Sequence, residues 1–383
     1  GVQLAASSLN LQRLGGDLLI HGDNTFSDER KFIIKDDGKI GIGNLSPSEK
    51  IDVSGAIKIG DTQTNNDGTI QSRRRASFKK WWMGCMVQQD RSVREKMTLF
   101  WHNHFATETN DVGNAQYVYK HHNLLRTHAL GNFKELVKQV TIDPAMLVYL
   151  NGQLNSKTAP DENYGRELQE LFCCGKGPDS LYTEADVKAA AKVLTGWQNN
   201  ATQINSVFTL SRHDTTNKQF SAFYKNTVIT GRNTASAGIQ ELDDMLNMIF
   251  AVDEVAKYIC RRLYRWFVYY EIDASVEQNI ITPLAAIFRN SNYEIKPVLR
   301  ALLSSQHFFD SLSMGCVIKS PLDLVVGLCR EFNISFQPAS DFVTNYGFYN
   351  YLVSSCSNMQ QNPGDPPDVS GWKAYYQEPQ FYQ

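Results

Sequence analysis

The stretch from Lys157 to Trp197 constrains this chain more than any other, because it spells two helices with their starts and stops. Pro160 suits a first helical turn, where its missing N–H costs nothing. Tyr164, Leu168, Leu171 and Phe172 then recur at helical spacing. Gly175 and Gly177-Pro178 end that helix. Thr183 with Asp186 three residues on reads as a capping box for a second helix. Val187, Ala190, Ala191 and Leu194 give its buried face, and Gly196 closes it. On the first helix Glu162, Arg166 and Glu170 are four apart and form a charged ladder, with Asn163, Glu167 and Glu170 on a neighbouring strip. Such a ladder is most simply a solvated face. The flanking Tyr164 and Phe172, and the polar loop Asn151–Ala159 before it, make a carboxylate site an equal reading.

The rest of the chain divides in two. Residues 1–71 hold no Cys or Trp and are rich in Gly, Asp, Asn and Ser. Phe32-Ile-Ile-Lys, Asp36-Asp-Gly and Lys39-Ile-Gly-Ile-Gly read as a hairpin, since Asp-Gly supplies the positive φ of a tight turn. Lys50-Ile-Asp-Val and the residues after Gly55 give two more short strands. So few apolar residues cannot fill a core, so this β-rich arm is expected to pair with copies of itself or with a partner fibre. Residues 72–383 read as a mainly α, multi-helix globular domain. Asn110–Leu130 reads as one long helix, Asp143-Pro144 as an N-cap and first-turn pair, and 238–310 as a run of amphipathic helices.

A net charge of −2 gives no field that would favour nucleic acid. The basic, aromatic Ser72–Trp82 is better read as a helix start with Phe78, Trp81 and Trp82 inward. No apolar run is long enough to span a bilayer. Seven cysteines, an odd number with no Cys-x-x-Cys, argue against a zinc ribbon or a disulfide scaffold.

Three groups carry the candidate chemistry. Glu167 and Glu170 would serve as acid–base or ligand carboxylates. His213 and Asp214 lie on a loop, each expected to face a different partner. His102 and His104 in Trp101-His-Asn-His-Phe point to opposite sides of a helix, and share a metal only if the helix ends there. No cofactor is named by the sequence; a divalent metal is the one this set would accommodate. There is no Gly-x-Ser-x-Gly, no His-Glu-x-x-His and no phosphate loop.

Several ordered stretches carry a resemblance. Trp101-His-Asn-His-Phe, Asp143-Pro-Ala-Met-Leu-Val-Tyr-Leu, Glu162-Asn-Tyr-Gly-Arg-Glu-Leu-Gln-Glu-Leu-Phe, Tyr182-Thr-Glu-Ala-Asp-Val, Leu194-Thr-Gly-Trp and Lys319-Ser-Pro are similar to the bacterial exported proteins grouped as domain of unknown function 1800 (DUF1800). The likeness runs from about Ser72 to Trp372. It implies export or a place in the cell envelope, but no settled activity. Relatives carry further helices where this chain has the arm, which makes the junction a natural fusion or a composite. The arm itself resembles the β-stem repeats of phage tail fibres and bacterial adhesins. Together these imply a structural or adhesive, assembly-forming protein; the alternative is a metal-assisted or acid–base hydrolase acting on an extracellular polymer or ester.

Overall fold

A computed structural model describes residues 67–338 and 341–374, together with the backbone of five short strands nearer the N-terminus. The chain forms two compact units, Gly1–Thr64 and Asn65–Gln383. In the first, Asn10–Leu14, Asp17–His21, Phe32–Ile34, Ile40–Ile42 and Ile51–Val53 form one sheet in sequence order. The first three pairings are antiparallel and the last is parallel. The expected hairpin is the pairing of Ile34 with Ile40 and Phe32 with Ile42. The strand expected after Gly55 lies outside the described residues.

The second unit is mainly α, and its helices start where short polar side chains can cap them. Asp67 accepts from the N–H groups of Thr69 and Ile70 and opens Gly68–Gln88. Asn114 opens Ala115–Thr127, and Asp143 opens Pro144–Tyr149 with Pro144 in the first turn. Thr183 and Asp186 form the expected reciprocal box before Glu184–Val193. The long helix read over Asn110–Leu130 is two pieces, because Gly113 at φ 71° ends a short turn over Thr109–Val112. Pro160 also falls short of its expected role, since the helix it precedes begins at Asn163.

That helix, Asn163–Glu167, runs directly into a π-helical stretch, Leu168–Cys173. A π turn adds a residue per turn and shifts every later side chain around the axis. Of the ladder expected of Glu162, Arg166 and Glu170, the Glu162–Arg166 step precedes this turn and forms, whereas Glu170 lies within it. Arg166 turns to Glu184 of the next helix at 2.6 and 2.8 Å, and only distantly to Glu162 at 3.4 Å. Glu170 pairs with Lys176.

Two apolar clusters hold the body. The larger gathers Trp101, Phe105, Phe133, Leu168 and Phe172 with inward residues of Ala237–Phe250, Asp253–Phe267, Thr282–Asn290 and Ile295–Leu303. Trp101 stacks on Phe133 and donates its indole N–H to the carbonyl of Ala129 at 3.1 Å. The smaller is built by Gly68–Gln88 against Pro321–Glu331 and Phe342–Asn358, with Phe78, Trp82, Tyr349 and Leu352 inside. Phe78 and Trp82 are buried and Trp81 half-buried, while Arg73 is exposed, so the basic start of this helix is its outer face. No helix among the described residues is long and apolar enough to cross a membrane.

Candidate functional site

Two stretches far apart in sequence, Trp101–Thr109 and Gly364–Trp372, are clasped together by polar side chains. Asp365 accepts from the backbone N–H and the hydroxyl of Thr109 at 2.9 and 2.6 Å and from Asn362 at 2.8 Å, and pairs with Lys79. Thr109 N–H also donates to the carbonyl of Gly364. Further along, Asn103 accepts from the backbone N–H of Trp372 at 2.6 Å. Trp372 therefore packs back on the body, as its Pro-rich setting suggests. Its ring lies 5.6 Å from that of His102.

Beside Trp372 lies His102, and next to it His122, two imidazoles with no hydrogen-bond partner on either ring nitrogen. They are 3% and 1% exposed, which excludes bulk water as a partner. Their ring centroids are 6.4 Å apart, and Trp82 packs on both, at 5.1 and 4.3 Å. Burial, then the neighbouring His121, pushes the pKa of His102 down to about 3. Burial, then His102, holds His122 well below the usual imidazole range. Such a value leaves His102 neutral at pH 7. Buried polar groups in native proteins are almost always paired, so two adjacent orphans call for an explanation.

His104 stands apart from them. The helix Arg94–His104 ends at this residue, but the two rings lie in different surroundings, that of His102 against Trp82, His122 and Trp372. The ring of His104 sits among Phe100, Phe105 and Phe172, and its Nε2 is 3.0 Å from the carbonyl of Phe172. His102 and His104 thus face opposite sides, and the shared site expected of them does not form. Among the described residues no three His, Cys, Asp or Glu side chains converge to hold a metal. His121 is satisfied, with Asp143 at 3.1 Å on one nitrogen and the carbonyl of Phe105 at 3.2 Å on the other.

The remaining candidates lie in separate surroundings. His213 donates from Nδ1 to the carbonyl of Thr195 at 2.9 Å. Its Nε2 is 3.2 Å from Glu241 Oε1, off the line a hydrogen bond would take. Asp214 instead accepts from the N–H and hydroxyl of Thr216 at 2.8 and 2.5 Å. Burial works against its ionisation, but those bonds hold its pKa below the usual range. The neighbours therefore do face different partners.

The residue that sequence reading missed here is Glu241. It is fully buried and takes Lys218 Nζ at 2.6 Å and the backbone N–H of Arg232 at 2.7 Å. Its position on the amphipathic helix Ala237–Phe250 gives no sign that it faces inward. Lys218, equally buried, also donates to the carbonyl of Asp214.

Glu167 and Glu170 form the third setting. Tyr182 reaches Glu170 at 3.5 Å, and Lys176 pairs with it. Glu167 has one buried carboxyl oxygen without a partner. Burial, then the charge of Glu170, raises its pKa. Among the described residues no hydrogen bond, ion pair or ring contact links this pair to His213 or to His102.

A raised carboxylate pKa means the folded state resists ionisation there. The favourable contribution is complete below the unfolded carboxylate range and is lost as pH rises through the folded value. Glu167→Gln is therefore expected to raise the melting temperature at pH 7 and leave it unchanged at acid pH. Thermal denaturation at both pH values checks this.

These features define a mainly α protein with a buried imidazole pair, one ring of which the strap Gly364–Trp372 covers. The family described as "Protein of unknown function (DUF1800)" matches residues 18–381, and the chain belongs to it. The match starts well before Ser72, so part of the segment read as a foreign arm falls within the family's span. Neither the curated proteins nor the solved structures contain a match.

Proposed function

We propose that this chain is an assembly-forming structural protein, exported or held at the cell surface, that associates with copies of itself. What supports this reading is a bare apolar face. Twelve of the eighteen large apolar side chains exposed among the described residues fall between Phe309 and Tyr351. Leu324, Leu328 and Phe332 follow at four-residue steps along and just past the helix Pro321–Glu331, while Leu322 and Cys329 are buried. That helix is therefore apolar on two sides, one packed and one bare. Leu312, Met314, Ile318, Phe342 and Val343, on either side of it in the sequence, are exposed as well.

The exposed fractions correspond to on the order of 1,000 Å² of such surface, against about 800 Å² per partner in a standard interface. Monomers rarely leave so much uncovered. A net charge of −2 sets little repulsion between copies. Pairing through the β arm, residues 1–70, would add a second contact and extend pairs into fibres. Light scattering coupled to size exclusion is expected to give a dimer or larger species. Phe332→Ser with Val343→Glu is expected to shift that species down in mass. A wild-type monomer at micromolar concentration would overturn the reading.

A hydrolase is the second reading, favoured by Glu167. A half-buried carboxyl with raised pKa beside a second carboxylate is the arrangement of a general acid. Hydrolysis of a model ester or polymer that Glu167→Gln abolishes would favour it over assembly.

A further inference from the structure

We propose that His102 and His122 form a two-coordinate site for a monovalent copper ion, buried against Trp82 with Trp372 of the strap Gly364–Trp372 beside His102. The proposal rests on the ring geometry and on the absence of any protein partner for these nitrogens. Metal–nitrogen bonds of about 2 Å, with the ring radii added, put two imidazole centroids roughly 6 Å apart across a linear N–metal–N bridge. The observed separation is 6.4 Å.

The choice of ion follows from what the site does not supply. Zinc takes four ligands in a closed site, and calcium or magnesium takes six or more oxygens. Here there are two nitrogens, and among the described residues no third His, Cys, Asp or Glu joins them. Copper accepts imidazole nitrogen, and as a closed-shell monovalent ion it is held by fewer ligands than zinc or calcium. Entry requires the strap to lift, and its fastenings are few and polar: Asp365 with Lys79, Thr109 and Asn362, and Asn103 with the backbone of Trp372.

The test uses the full chain, reduced and with its accessible thiols at Cys85 and Cys316 alkylated. Monovalent copper is titrated without oxygen against a coloured chelator. One equivalent is expected to leave the chelator for the protein. The double variant His102→Gln, His122→Gln is expected to bind at least 100-fold more weakly, with circular dichroism reporting whether it folds. X-ray absorption of the copper-loaded wild type, which depends on no variant, is expected to show two nitrogen neighbours at about 2 Å. Failure to withdraw copper, equal binding by the variant, or sulfur neighbours around the ion would each overturn the proposal.

Discussion

Glu241→Ala is expected to cost about 3–5 kcal/mol of stability, the usual loss when one partner of a buried ion pair is removed. The reason lies in what remains. Lys218 is fully buried, and its ammonium would keep only the carbonyl of Asp214. The N–H of Arg232 would lose its acceptor as well. Lys218→Met should cost a similar amount for the mirror reason. The double substitution should cost clearly less than the two together, because no uncompensated charge is left. Urea denaturation of the three variants measures the coupling. The pH dependence follows from the same contacts. Burial opposes ionisation of Glu241, but His213, Lys218 and the Arg232 N–H outweigh it and hold the pKa below the usual carboxylate range. A depressed folded value contributes stability that is present above the unfolded range and lost as pH falls through the folded one. Acid unfolding should therefore be steeper in the wild type than in the double variant.

What could be read from the sequence was local. The capping box at Thr183 and Asp186, the Asp143-Pro144 start and the stops at Gly175 and Gly196 hold, because each is decided by a few neighbouring atoms. The mainly α class follows from such signals in sum. The π turn at Leu168–Cys173 was not legible. Nothing in Leu-Gln-Glu-Leu-Phe-Cys departs from α-helical spacing, and the extra residue shows only in where the side chains point. The surroundings of the candidate residues were hidden for a different reason. His102 was singled out by its motif, but its neighbour is His122, from another helix, and its cover is Trp372, some 270 positions on. Helical spacing relates residues on one element and is silent about which elements meet. A buried glutamate such as Glu241 is equally invisible, since an acid on an amphipathic helix is by default placed outward.

Gly371→Ala is expected to release the strap at a cost of about 2–5 kcal/mol, the strain of a left-handed residue added to that of overpacking. Gly371 has φ 84°, a conformation that side chains resist. A methyl group there would also land on Asn103, within 2.8 Å of its Cγ and closer still to its two oxygens. The backbone oxygen cannot move without disturbing the Arg94–His104 helix that carries His102. Gly315→Ala separates the two contributions. Its φ is 72°, but nothing lies within 4 Å of the added carbon, so strain acts alone and about 1 kcal/mol is expected. Amide exchange should report the difference in place as well as in size. In Gly371→Ala, protection should fall over Thr109 and Trp372, whose N–H groups the clasp holds, and the indole of Trp372 should become quenchable. Loss of global stability with those amides still protected would mean that the strap is fastened from elsewhere, and that Asn103 is not its anchor.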